Sequence, residues 1–77
     1  MIKNIPNKYS KELLRERIDH NFQGKYDFFY LPIDLKNNCN LGYAFINFIS
    51  LESIEKFVED FHMKKWPRFN SDKICKI

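Results

Sequence analysis

Glycine and cysteine are scarce in this chain, and no stretch of it is long and apolar. Two glycines in 77 residues, with 44% apolar residues, argue against a disordered or low-complexity segment. Two cysteines, Cys39 and Cys75, stand far apart with no CxxC, which argues against a disulfide framework or a zinc ribbon. A reducing, intracellular setting is the simpler expectation, nucleus or cytoplasm. The longest apolar run, Phe28 to Ile33, is six residues and contains Pro32. A membrane span needs roughly 20, so no membrane partner is expected. No charged-then-apolar leader stands at the N-terminus, and secretion is not expected. His20 and His62 fall in no metal-ligand spacing with the cysteines, so neither a metal nor a cofactor is expected.

Aromatic residues are abundant instead. Eight Phe, four Tyr and one Trp make up 17% of the chain, more than one small core needs, so some rings should lie on the surface. The length allows one domain with one core. The net charge of +3 is modest, but it is unevenly spread. Glu52, Glu55, Glu59 and Asp60 face only Lys56 in their stretch, which carries −3 and leaves +6 on the rest. An acidic element on an otherwise basic domain suggests two faces, the basic one suited to an anionic partner. A solvated helix exterior with scattered lysines is the plainer reading of the same charges.

The chain reads as six elements. Met1 to Ile5 is a short strand ended by Pro6-Asn7. Ser10 caps a helix from Lys11 to about Asn21, with Leu14, Ile18 and Phe22 in one stripe and Leu13 beside them. Tyr26 to Ile33 is an aromatic-rich strand, Asp34 to Asn40 a polar loop, and Gly42 to Phe48 a further strand. Ser50 caps a second helix with Glu52 in its first turn, favourable to the helix dipole. Its expected stripe is Leu51, Ile54, Phe57, Val58 and Phe61. Ser71 to Ile77 starts a last strand that stops before it looks complete. The order βαββαβ predicts an α+β ferredoxin-like sandwich over residues 1–77: a four-stranded antiparallel sheet with two helices on one face and the other face open.

Strand periodicity says what lies on the open face. Ala44, Ile46 and Phe48 share one parity and suit the core; Tyr43, Phe45 and Asn47 must then point outward. On the preceding strand Phe29 and Leu31 suit the core and Phe28 and Tyr30 the open face, the opposite parity being the alternative. Adjacent exposed rings suit stacking on flat ligands, and nucleic-acid bases fit. The plainer reading is sheet packing under a terminal extension.

Leu41-Gly42-Tyr43-Ala44-Phe45-Ile46-Asn47-Phe48 resembles the octamer signature of the RNA recognition motif, K/R-G-F/Y-G/A-F-V-x-F/Y. Ile46 is a close substitute there and Leu41 departs from it. Met1-Ile2-Lys3-Asn4-Ile5 fits the hexamer signature less well, with Met1 where an aromatic is usual. More narrowly, the chain resembles the C-terminal RRM of the Mei-two-like meiosis regulators. That resemblance rests on residues 2–9, 26–34 and 39–47, on Trp66, and on Phe69-Asn70-Ser71. It implies single-stranded RNA binding without catalysis, in meiosis- or development-type regulation.

The candidate RNA-binding residues are Tyr43, Phe45, Met1, Lys3, Asn47, Tyr30 and Phe28. Lys3 would reach phosphate or be an ordinary solvated lysine. Asn47 would bond a base edge or keep the face wet. Leu41 replaces a phosphate-meeting cation, and Trp66 reads as a lid over the second helix rather than an RNA contact. Two other classes compete: a protein-interaction module using the sheet or the acidic helix, and a small hydrolase of acylphosphatase type on the same topology. The hydrolase would need an anion cradle after the first strand, and Pro6-Asn7-Lys8-Tyr9 has neither Gly nor Arg. No nucleophile–base pair is suggested, so an enzyme is not expected.

Overall fold

A computed structural model describes residues 1–67, 69 and 71–77; Arg68 and Asn70, the latter part of the family resemblance, lie outside the described residues. The elements are β1 (Ile2–Lys3), α1 (Lys11–Phe22), β2 (Tyr26–Tyr30), β3 (Ile33–Asp34), β4 (Cys39–Asn40), β5 (Tyr43–Phe48) and α2 (Leu51–Phe61). The strand with the clearest alternation, β5, lies at the centre of the sheet, between β1 and β2 and antiparallel to both. Its inward residues Ala44 and Phe48 are buried and Ile46 packs beside them. The fourth strand is present as a bridge: Lys3 N–H donates to Lys76 O at 2.7 Å and Lys76 N–H to Lys3 O at 3.2 Å. Both helices lie on the same side of the sheet, Leu14, Ile18 and Phe22 of α1 joining Phe57 and Phe61 of α2 in one core.

Local chemistry explains the helix starts. Ser10 Oγ accepts from Leu13 N–H at 3.1 Å and Ser50 Oγ from Ser53 N–H at 3.2 Å, each filling an orphan donor of a first turn. The α2 stripe needs correction. Phe57 and Phe61 are buried and Val58 half-buried, but Leu51 is 71% exposed and Ile54 41%. The large rings set the helix rotation: Phe57 stacks on Phe61 at 4.4 Å and meets Phe48 at 4.9 Å. With those two inward, the residue four before Phe57 is Ser53, which is buried, and Ile54 falls on the flank. Ile49 and Ile54 occupy the positions of a hydrophobic staple around the Ser50 cap.

The polar loop expected over Asp34 to Asn40 is instead a hairpin, in which β3 pairs with β4. Asp34 closes it by accepting from Lys36 N–H at 3.0 Å and from Asn37 Nδ2 at 2.9 Å. Asn38 takes a positive φ of 54° that asparagine tolerates. The strand expected to run from Tyr26 to Ile33 therefore ends at Tyr30 and restarts at Ile33.

A β-bulge interrupts the β2–β5 ladder between Tyr26 and Phe28. It turns Tyr26 inward, where its ring meets Phe29 and Phe48. The Tyr26 hydroxyl donates to Asp19 Oδ1 at 2.6 Å, tying β2 to α1. Burial, then the carboxylate beside it, pushes the phenol up to about 12.

This arrangement makes opposite demands on two α2 residues. Phe61→Ala is expected to lower stability by about 3–5 kcal/mol, as for a fully packed ring. Ile54→Ala is expected to cost no more than about 1 kcal/mol, because much of the side chain already meets water. Urea titrations of both variants check this, and equal losses would contradict the helix rotation.

Candidate nucleic-acid interface

The open side of the sheet is assembled by cross-strand pairing. Tyr30 lies opposite Phe45, Phe28 opposite Asn47, and Lys3 opposite Tyr43, so each pair projects from one face. Phe28 and Tyr30 are each 53% exposed and Phe45 42%, while Tyr43 is half-buried. The parity expected for β2 is the one observed. Met1, also exposed, stands just before the β1 ladder. The Tyr43 and Phe45 rings lie 5.7 Å apart with planes 82° from parallel. That is the edge-to-face geometry favoured by ring quadrupoles, and only one of the two can lie parallel to a given base.

Charge at this face was only partly foreseen. Lys76 lies opposite Lys3, so two lysines share this edge, Lys3 beside Tyr43 and Lys76 one strand farther out. Like charges directly opposite on neighbouring strands repel, and among the described residues neither has an ion-pair partner. An anion between them would relieve that repulsion. The acidic helix α2 lies on the opposite side of the sheet, as the uneven charge distribution suggested. Leu41 is exposed and brings no charge; its N–H donates to Pro32 O at 3.1 Å.

Asn47 is exposed but engaged: its Nδ2 donates to Asp27 Oδ1 at 2.8 Å. Asp27 escaped the sequence reading because strict alternation sends it toward the core. The bulge re-aims it. Apart from its place in the 26–34 stretch of the family resemblance, its signal in the sequence is that Asp is unusual in a strand.

A second missed residue is Asn40, buried at 5% exposure. Its Nδ2 donates to Pro6 O at 2.8 Å and Tyr9 O at 2.9 Å, and its Oδ1 accepts from Gly42 N–H at 2.7 Å. One side chain thus fastens the loop after β1 to the entry of β5. Gly42 has φ 93°, which side chains rarely adopt, and its carbonyl accepts from Ile5 N–H. The glycine of the octamer is therefore a backbone requirement of this corner. Trp66 covers the same loop from the core side. Its Nε1 donates to Asn4 O at 2.8 Å, and its ring meets Tyr9 and Phe61, so the expected lid over α2 extends to Tyr9.

The histidines stand apart from this face. His62 Nδ1 accepts from Ile77 N–H at 3.1 Å, and His20 is exposed in the last turn of α1. Among the described residues no three His, Cys, Asp or Glu side chains gather as metal ligands, and no helix is long and apolar enough to cross a membrane.

An antiparallel sheet backed by two helices, with a row of aromatic residues on its open side, defines a domain of the RNA recognition class. The sequence matches RNA recognition motif 2 over residues 1–77, and the chain belongs to that family. It is 57% identical over 77 residues to Protein MEI2-like 2 of Oryza sativa subsp. japonica, covering all of this chain and 9% of that protein. To Protein MEI2-like 1 of Arabidopsis thaliana it is 56% identical over 77 residues, covering all of this chain and 8% of the relative. The chain thus spans less than a tenth of the length of either. A solved structure of the Rna15 RRM with bound RNA (GU) shares the fold, with a TM-score of 0.78 and 21% identity over 97% of this chain and 73% of that one.

Asn40→Ala is expected to destabilise the domain by about 2–4 kcal/mol, since it strands two carbonyls and an N–H in a buried corner. Chemical denaturation measures the loss, and a change below about 0.5 kcal/mol would mean water replaces the amide freely.

Proposed function

We propose that this domain binds single-stranded RNA across its open sheet face, as a non-catalytic module of post-transcriptional regulation. The observation that carries the reading is the set of four outward aromatic residues, Phe28, Tyr30, Tyr43 and Phe45, bordered by Lys3 and Lys76. Unstacked bases lie on the rings, the lysines meet phosphates, and Met1 adds an apolar contact at the edge. Edge-to-face packing of Tyr43 on Phe45 lets one ring take a base face-on while the other supports it or turns. Asn47 works together with Asp27 rather than as a free amide. The MEI2-like relatives and the family resemblance favour regulation of the meiotic or developmental kind. The free thiols Cys39 and Cys75 fit a reducing nuclear or cytoplasmic setting.

A protein-interaction role ranks second and has its own observation: Ile49, Leu51 and Ile54 are exposed near the acids of α2. A partner there would carry basic and apolar groups, and RNA would have no effect on it.

Stacking contributes about 1–3 kcal/mol per base. Tyr43→Ala and Phe45→Ala should therefore each weaken binding of a short single-stranded RNA roughly 5- to 150-fold while the fold persists. Calorimetric titration of the folded variants decides. Parent-like affinity in both would move the RNA site off the sheet and put the protein-interaction reading first.

Electrostatics gives an independent expectation. With about two to four lysines at phosphates, log K should fall against log salt with a slope of roughly −1.4 to −2.8. Lys3→Ala and Lys76→Ala should each flatten it by about 0.7. A slope near zero would exclude a nucleic-acid partner.

A further inference from the structure

The bulge in β2 places a carboxylate where a phosphate-binding surface would avoid one. Asp27 is exposed and held by Asn47, which points outward between Phe45 along its own strand and Phe28 across the ladder. Among the described residues no cation pairs with that carboxylate. Near an RNA backbone an unneutralised carboxylate is repulsive, so its use there must come from accepting hydrogen bonds.

We propose that Asp27, held in place by Asn47, selects guanine among the bases stacked on the open face. The proposal rests on the RNA-binding reading above and specifies the ligand of that site. A carboxylate only accepts. Because it faces Asn47, the amide must turn its NH2 toward Asp27; that bond occupies one acceptor site of one oxygen and leaves the carboxylate's other acceptor sites for a ligand. In single-stranded RNA the Watson–Crick edges of the bases are open to protein groups. Guanine alone offers two adjacent donors on that edge, N1–H and the N2 amino group, and a carboxylate can accept from both. Adenine and cytosine set a ring nitrogen acceptor beside their amino group. Uracil flanks its single N–H with two carbonyls. Each of these three turns an acceptor toward the carboxylate as well as a donor.

The rings supply the plane and the carboxylate reads the edge. Phe28 follows Asp27 directly, and Asn47 lies opposite Phe28, so a base over these rings has its edge close to the pair. A bulge is an established device for re-aiming a side chain at a functional face. Without it Asp27 would point at the core and Tyr26 at the bases. Asn47 is here a positioning residue, and Asp27 the group that touches the base.

The test uses fluorescence anisotropy with the intact domain and labelled uridine heptamers carrying one central guanosine, inosine or adenosine. Uridines on both sides let the single purine slide into register. Guanosine should bind roughly 5- to 150-fold more tightly than adenosine, the range of one good bidentate base contact. Inosine lacks the N2 amino group and should lose roughly 2- to 10-fold relative to guanosine, as for one hydrogen bond. In Asp27→Asn the guanosine-to-inosine ratio should fall to about 1, a change that a purely structural role of Asp27 would not produce. The ratio in the unaltered protein needs no variant, so it decides even if Asp27→Asn fails to fold. RNA binding with equal affinity for the three strands overturns the proposal and leaves RNA binding standing. A preference for adenosine also overturns it and makes the Asn47 amide the reader. No binding to any strand removes the RNA-binding reading, and this proposal with it.

Discussion

The two-residue period of β5 is the constraint from which the rest of the domain follows. This strand is paired on both sides, so its register cannot slip without moving two neighbours at once. Burying Ala44, Ile46 and Phe48 against the helices forces Tyr43, Phe45 and Asn47 out. Antiparallel pairing then carries the same sidedness to Lys3, Phe28 and Tyr30. A one-residue slip would turn Tyr43 and Phe45 toward the core, one of them where Ala44 now fits, and lay Ile46 in water. The open face is therefore maintained by the core.

Much of this was legible in the sequence because it depends on period and on local capping. Ser10 and Ser50 read as caps and are caps. Leu14, Ile18 and Phe22 read as a stripe and are buried. The parities of β2 and β5 came from alternation alone. What escaped depends on contacts between distant segments. Asn40 looks like loop polarity until three backbone groups from two other places converge on it. Asp27 is invisible to alternation because the bulge breaks the alternation just there. Ile54 fits a helical stripe as well as Phe57 does, and only the mutual packing of Phe57, Phe61 and Phe48 decides which one turns in. Lys76 joins the open face through a pairing that residue spacing does not encode.

The two sides of the sheet also divide the electrostatics. Acids gather on α2 behind it, lysines border it in front, and Asp27 is the exception on the front. Attraction of a polyanion to one side and repulsion from the other orient an encounter before any contact forms. Asp27 lies on β2, away from the Lys3–Lys76 edge, so in the proposed complex the negative charge would meet bases where the positive charge would meet backbone. Separating these two kinds of contact would let one small face combine affinity with choice.

The hydrogen bond from Trp66 to Asn4 spans 62 residues of a 77-residue chain, and that distance bears on how the domain is made. A contact between such remote positions cannot form until the intervening chain has been gathered, and the entropy of closing so large a loop opposes it throughout. The helices can form locally and the β2–β5 ladder closes a much shorter loop, so they are free to assemble first. The Asn4–Tyr9 corner is then fixed late, when Asn40 and Trp66 reach it from opposite sides. During synthesis, too, Ile2 and Ile5 leave the ribosome well before β5, against which they pair at Ala44 and Gly42, and before Trp66, which closes the corner beside them.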